Sequence, residues 1–151
     1  MIVPKINSIS QFFVKRKWIL LSLCIVTPLG FLFKGYSGPG HQWFNDYGAG
    51  VLYEVFWCLV VFFFIPRKIY TTHIAIGVFV ITSILEILQL WHPQLLQQLR
   101  STFLGGAILG ITFVWWDFPH YIMGCLVGWF SMWVLSKRFE PTDSQHNLVT
   151  K

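Results

Sequence analysis

The sequence is poor in charged residues, and acidic residues are especially few. Only 11% of the 151 residues are charged and only six are Asp or Glu, whereas about 25% of the residues of a soluble domain are usually charged. Hydrophobic residues make up 55% of the chain. This composition excludes an ordinary soluble domain and indicates a small integral membrane protein with one domain.

Cysteine frameworks and metal-binding motifs are also missing from the sequence. The three cysteines lie inside apolar runs without CxxC spacing, which argues against a disulfide framework or a structural zinc site. The five histidines have no HExxH or similar spacing, so we expect no metal and no cofactor. The net charge of +5 comes from basic residues that punctuate the apolar runs, so we expect no nucleic-acid binding.

Four apolar runs approach the roughly 20 residues that a helix needs to cross a bilayer. We therefore predict an all-α integral membrane fold, a single domain over residues 1–139, with transmembrane helices at about 18–34, 47–65, 73–91 and 118–136. Residues 94–116 combine a short amphipathic segment with Gly105-Gly106, which favours an outer-side interfacial or re-entrant element over a fifth span. The polar segment 140–151 is predicted to be a disordered tail.

The basic residues predict an orientation for these four spans. Four spans place one group of cations on the same side of the membrane, namely Lys5, Lys15–Lys17, Arg67, Lys68, Lys137 and Arg138. The opposite side receives only Lys34 and Arg100, and a fifth span would break this asymmetry. The positive-inside rule then predicts a multi-pass plasma-membrane protein with both termini in the cytoplasm.

The same topology brings most of the scarce acids to one end of the helices. Asp46, Glu54, Glu86 and Asp117 lie in or against apolar runs, although a charge at membrane depth costs at least about 2.5–3.5 kcal/mol and usually marks pairing or function. Four spans place all of them toward the outer side. We predict a functional cluster there, formed by Glu86, Gln89, Arg100, Asp117, Tyr121 and Asp46.

Each acid also has a structural interpretation. Asp117, and either Asn45 or Asp46, are positioned to be N-caps. Glu54 is interpreted as a rim residue solvated by headgroups, and Glu86 as a member of an ion pair with Arg100.

Two further patterns predict packing and membrane depth. His120, Gly124 and Gly128 recur every four residues, and small residues at this spacing let another helix approach closely. This stripe of small residues also makes a homo-oligomer plausible. Trp43, Trp91 and the pair Trp115-Trp116 are typical of an aromatic belt at the membrane interface.

Several of these residues together resemble a known family. The pattern Glu86-x2-Gln89, then Arg100, Gly110, Phe113, Asp117, Gly124 and Gly128 resembles the signature of VanZ-like proteins. More closely, it resembles a related bacterial family of small multipass proteins with a domain of unknown function, whose opening motif fits GAGVLYEVFWCLVVFF. The resemblance covers roughly residues 40–130. Tyr121 stands where VanZ-like members usually carry Asn, which places the chain nearer the second family. The resemblance implies a bacterial cell-envelope membrane and supports the predicted cluster, but it implies no reaction.

Three functional hypotheses remain open at this point. The preferred one is a binding or accessory protein whose cluster recognises a polar lipid headgroup or a partner helix, with Arg100 on phosphate. The second is an intramembrane enzyme acting on a lipid-linked envelope precursor, with Glu86 or Asp117 as the general base. The third is a structural subunit of a membrane complex, in which the acids form buried ion pairs.

Overall fold

The structure, a computed structural model, describes residues 16–91, 93–109 and 113–138. Every regular element in these residues is helical. In chain order the helices are α1 (Lys17–Lys34), α2 (His41–Phe64), α3 (Lys68–Leu88), α4 (Gln94–Arg100), α5 (Phe103–Leu109) and α6 (Asp117–Ser136). Four of them, α1, α2, α3 and α6, are long and apolar enough to cross a membrane. The predicted all-α fold with four spans is confirmed.

Helix α2 begins six residues before the predicted start at residue 47. The turn before it ends at Gly40, whose φ of 74° is in the left-handed region that glycine adopts without strain. The helix then continues through a π-helical stretch, Phe44–Gly48. The ring of Phe44 packs edge-on against Phe33 of α1 at 5.0 Å. This aromatic contact holds the first turns of α2, which precede the predicted start at residue 47, against α1.

Helix α1 packs against α2 in the antiparallel direction. A Cβ on Gly30 would lie 3.9 Å from Leu52 near one end, and Arg16 Nε donates to the Phe63 carbonyl at 2.7 Å near the other. Ile19 is the one buried residue within α1. Most of the apolar surface of α1 therefore faces outward, as expected for a helix at the lipid boundary.

The core of the bundle is formed by α2, α3 and α6. Gly124 and Gly128 of α6 lie against Glu54 and Cys58 of α2, so these two helices run parallel. Trp129 Nε1 donates to Thr72 Oγ1 of α3 at 3.1 Å. Helix α3 runs antiparallel to both. The buried apolar side chains between the three helices are Val55, Cys58, Leu59, Phe62, Ile74, Ala75, Val78, Cys125 and Met132.

These helix directions give the bundle two chemically different ends. At the first, called the Trp-rich end, α1 and α3 finish and α2 and α6 begin, with exposed Trp43, Trp91, Trp115 and Trp116. At the second, called the basic end, the helices are flanked by Arg16, Lys17, Arg67, Lys68, Lys137 and Arg138. The charge asymmetry that the sequence predicted is thus present in the fold.

Residues 89–116, called the connector, join α3 to α6 at the Trp-rich end. Helices α4 and α5 have seven residues each, which is about 10 Å and far less than the roughly 30 Å of a hydrocarbon core. Leu95 and Leu99 on α4 are exposed. The connector therefore contains short helices instead of a fifth span in the part that the structure describes. The predictions made on Lys5, Lys15, Gly110 and the tail 140–151 lie outside the described residues.

Candidate functional site

Glu86 is buried at the Trp-rich end and accepts three hydrogen bonds. Its Oε2 receives Gln89 Nε2 at 2.7 Å and the Tyr121 hydroxyl at 2.8 Å. Its Oε1 receives the backbone N–H of Val114 at 2.9 Å. Two of these donors, Gln89 and Val114, belong to the connector, and the third, Tyr121, belongs to α6. The two acceptor oxygens of the carboxylate thus serve three donors. Glu86 therefore fastens the connector to the bundle.

Arg100 closes the end of α3 instead of pairing with Glu86. Its Nη2 donates to the Leu88 carbonyl at 2.9 Å and its Nη1 to the Trp91 carbonyl at 3.2 Å. The last carbonyls of a helix lack intrahelical partners and carry partial negative charge, so a guanidinium is a favourable cap there. The interpretation of Glu86 and Arg100 as an ion pair is wrong, since among the described residues the two side chains bond to other groups.

A third contact fastens the connector to α2. The hydroxyl of Tyr53 donates to the carbonyl of Ile108 in α5 at 3.2 Å. Together with the bonds of Glu86 and Arg100, this contact attaches the connector to α2 and α3, and Tyr121 of α6 donates to the same Glu86 carboxylate. The predicted residues Glu86, Gln89, Arg100 and Tyr121 are thus brought together where the connector meets the bundle.

Asp46 and Asp117 lie near this place but cap no helix. Helix α6 starts at Asp117 itself, and its N-terminus has no side-chain cap. Because α2 starts at His41, Asn45 and Asp46 lie inside the helix. The N-cap interpretations are therefore wrong. Asp117 lies within electrostatic range of Glu86, Asp46, His120 and Lys34, so both acids belong to the Trp-rich end.

His120 is held by aromatic and backbone contacts. Its ring stacks on Tyr47 of α2, with centroids 4.3 Å apart, and its Nδ1 lies 2.6 Å from the Trp116 carbonyl oxygen. No group of three or more His, Cys, Asp or Glu side chains within the described ranges is arranged to hold a metal ion.

Glu54 is the residue whose environment differs most from expectation. It is fully buried, at about 20 Å along α2 from its start and about 15 Å from its end. Its Oε2 accepts the Cys125 thiol at 3.2 Å, whereas its Oε1 has no hydrogen-bond partner. Thr82 of α3 is beside it but donates to carbonyls of its own helix. The interpretation of Glu54 as a solvated rim residue is wrong, because the earlier start of α2 places it mid-helix.

The predicted glycine stripe lies beside Glu54. A Cβ on Gly124 would lie 2.6 Å from the Glu54 Cβ and 2.7 Å from the Val51 carbonyl oxygen. A Cβ on Gly128 would lie 2.8 Å from the Cys58 Cβ. Helix α2 thus approaches α6 closely along both glycines. The stripe is covered by α2 of the same chain, so a homo-oligomer, which stays a prediction, would need another surface.

A family model matches residues 40–125, more than half of the chain, and is described as a protein of unknown function (DUF2809). The chain belongs to the DUF2809 family. No solved structure matches the chain. The family match agrees with the resemblance to a multipass family of unknown function. Nothing found ties this DUF2809 member to VanZ-like proteins, so that relationship stays a prediction.

The matched region contains all six residues of the predicted cluster, and also Glu54 and Cys125, which the cluster omitted. One feature of the sequence could have identified Glu54: like Glu86, it is embedded in a long apolar run, here VLYEVFWCLVVFFF. Glu54 was interpreted as a rim residue because the predicted start of α2 at residue 47 placed it too near the membrane surface.

Proposed function

We propose that this DUF2809 member is a membrane binding protein that recognises the phosphate-bearing headgroup of a lipid at its Trp-rich end. In this proposal Arg100 contacts the phosphate. Gln89 accepts a hydrogen bond from a hydroxyl or ammonium group of the headgroup. Asp46 and Asp117 supply negative charge toward that same group.

The environment of Arg100 is the observation that carries the proposal. Its side chain is only 7% exposed, and its guanidinium donates to two carbonyl oxygens. Its Nε is buried without a hydrogen-bond partner. The end of a helix supplies only about half of a negative charge, so the charge of Arg100 is incompletely balanced among the described residues. Phosphate is an anion that the planar guanidinium binds well, often through two parallel bonds.

Two buried acceptors at the same end support the proposal. Gln89 Oε1 and Asn45 Oδ1 have no hydrogen-bond partner. A buried polar atom without a partner costs about 1–3 kcal/mol, and each such atom in a native protein calls for an explanation. Hydroxyl or ammonium donors of a headgroup would satisfy them. The exposed Trp91 and Trp115 suit the depth at which headgroups lie.

The proposal includes the orientation of the chain. The basic end faces the cytoplasm of a bacterial cell and the Trp-rich end faces the outer leaflet of the plasma membrane. The cations at the basic end support this orientation through the positive-inside rule. Both described termini, near Arg16 and Arg138, lie at that end.

Lipid analysis of the purified protein tests the headgroup proposal. Wild type and Arg100→Gln are purified in parallel from membranes, and bound phospholipids are quantified by mass spectrometry. We expect Arg100→Gln to lose a phospholipid that wild type retains. A second wild-type sample is washed with excess inorganic phosphate before the measurement. A site that binds the lipid keeps its phospholipid in this wash, whereas a site that binds phosphate alone loses it.

The matched control is Lys137→Gln, which removes one positive charge at the basic end, where Lys137 packs 3.6 Å above the Trp133 ring. This variant keeps the lipid if the proposal is right. Asn45→Leu provides a second variant that leaves the cap of α3 intact and should weaken retention. Equal lipid content in wild type, Arg100→Gln and Asn45→Leu would contradict the proposal.

The binding hypothesis is preferred over the intramembrane enzyme for a geometric reason. The enzyme hypothesis placed the general base at Glu86 or Asp117, and Glu86 already accepts three bonds from the fold itself. Its carboxylate is therefore committed to holding the connector, which fits a positioning residue better than a base.

A further inference from the structure

The centre of the bundle contains a polar site that headgroup binding does not use. Glu54 is fully buried between α2, α3 and α6, about halfway along α2. One of its oxygens accepts a thiol, and the other has no partner. A thiol is a weak donor, so the fold does little to compensate a charge at this position.

The groups around Glu54 contain no cation among the described residues that face it. They are Tyr53 on α2, Thr82 on α3, and Tyr121 and Cys125 on α6. Cys58 of α2 lies beside Cys125, and Glu86 of α3 is bonded to Tyr121. On α1, Cys24 is exposed. Burying a carboxylate without a cation is costly, and such a group reduces this cost by taking up a proton. A mid-membrane carboxyl in these surroundings is suited to exchange between its neutral and ionised forms.

A row of polar side chains leads from the Trp-rich end to this carboxyl. Asp117, Tyr121 and Cys125 lie four residues apart on α6 and so share one helix face. The row descends about 12 Å along the helix axis. Tyr121 donates to Glu86 on the way, and Cys125 donates to Glu54 at the bottom.

Next to Glu54 on its far side the interior is apolar, with Phe62 of α2, Val78 of α3 and Met132 of α6 buried there. The buried hydroxyls of Thr71 and Ser136 lie farther away, at the basic end, and each donates to a carbonyl three residues earlier in the chain. Among the described residues, the polar groups that approach Glu54 therefore come from the Trp-rich end.

We propose that Glu54 is an intramembrane proton-binding site that exchanges its proton with the Trp-rich end along the row Asp117, Tyr121 and Cys125. The step is a simple acid–base exchange, in which the carboxyl releases a proton to the row or receives one from it. No bond to carbon changes and no oxidant is needed. This proposal can fail or hold separately from headgroup binding. The two share Asp117, but Glu54, Tyr121 and Cys125 take no part in headgroup binding, and the measurement is different.

Infrared spectroscopy of the protein in lipid vesicles tests the proposal. A protonated carboxyl has a C=O stretching band separate from the amide bands. We expect wild type to show such a band, Glu54→Gln to lose it and Glu86→Gln to keep it. The band should decrease as pH is raised. In Cys125→Ala it should shift in frequency, because the thiol no longer donates to the carboxyl.

Hydrogen–deuterium exchange of the same band tests the route. Transfer into deuterated buffer shifts the band, and we expect Tyr121→Phe to slow this shift relative to wild type. The matched control is Tyr70→Phe, the same substitution at an exposed position of the basic end, which should leave the rate unchanged. A band that persists in Glu54→Gln, or one that does not respond to pH, would overturn the proton site. An unchanged exchange rate in Tyr121→Phe would overturn the route.

Discussion

Replacing Glu86 with Gln tests how the connector is held. The carboxylate accepts bonds from Gln89 and Tyr121 on one oxygen and from the Val114 N–H on the other. A Gln side chain has one acceptor oxygen and one NH₂ group. If its oxygen keeps the two side-chain donors, its NH₂ group faces the Val114 N–H, and two donors oppose each other.

The expected loss of stability follows from this mismatch. One buried donor without a partner costs about 1–3 kcal/mol, so Glu86→Gln should lower the free energy of unfolding by that amount. Glu86→Leu removes all three bonds and should lower it further. Because Val114 belongs to the connector, its segment should also gain amide exchange before the rest of the protein unfolds.

The assay combines denaturant unfolding in detergent with hydrogen–deuterium exchange read by mass spectrometry. Ser83→Ala is the matched control on α3, since its hydroxyl is buried without a partner and its removal should be neutral or slightly stabilising. The reasoning is refuted if Glu86→Gln is as stable as Ser83→Ala, or if exchange around Val114 does not change.

Three further predictions concern packing, the connector and orientation. Gly124→Ala should destabilise the protein by about 1–3 kcal/mol in denaturant unfolding, because its Cβ would collide with α2. The control Gly77→Ala has open space around its Cβ and should be neutral or stabilising by up to about 1 kcal/mol. Equal effects of the two substitutions would contradict the close approach of α2 and α6. Tyr53→Phe removes one hydrogen bond to α5, worth about 0.5–1.5 kcal/mol. It should speed proteolysis of the connector without a large change in the free energy of global unfolding. An unchanged cleavage rate would count against this contact. In intact cells a membrane-impermeant maleimide should label Gln98→Cys and spare Lys68→Cys, and the reverse result would invert the proposed orientation.

Local properties of the sequence were sufficient to predict the spans. Hydropathy depends on neighbouring residues, and an apolar run of about 20 residues has few alternatives to a transmembrane helix. The non-spanning connector was predictable for the same reason, because Gly105-Gly106 and the polar segment before it interrupt the apolar pattern. The start of α2 was not predictable in this way, since contacts of Phe44 with another helix support it.

For the candidate site, the sequence predicted the location of the residues but not their hydrogen-bond partners. Glu86, Gln89, Arg100 and Tyr121 were placed at one end of the bundle by topology alone, and the structure brings them to the place where the connector meets the helices. Their partners were not predictable. Glu86 bonds to residues 28 and 35 positions away in the sequence. The opposite charges of Glu86 and Arg100 suggested an ion pair, but Arg100 donates to carbonyls at the end of α3 instead.

The sequence by itself therefore determined that this DUF2809 member has four helices long and apolar enough to span a membrane, an interrupted connector, and Asp46, Glu86 and Asp117 near one end of the bundle, because these features follow from composition and chain direction. Only the tertiary structure decided that Glu86 holds the connector, that Arg100 caps α3 and that Glu54 lies buried at mid-bundle. Those roles depend on where helices begin and on contacts such as that of Glu54 with Cys125, 71 residues away. Such contacts are set by packing between helices, which local sequence patterns do not encode.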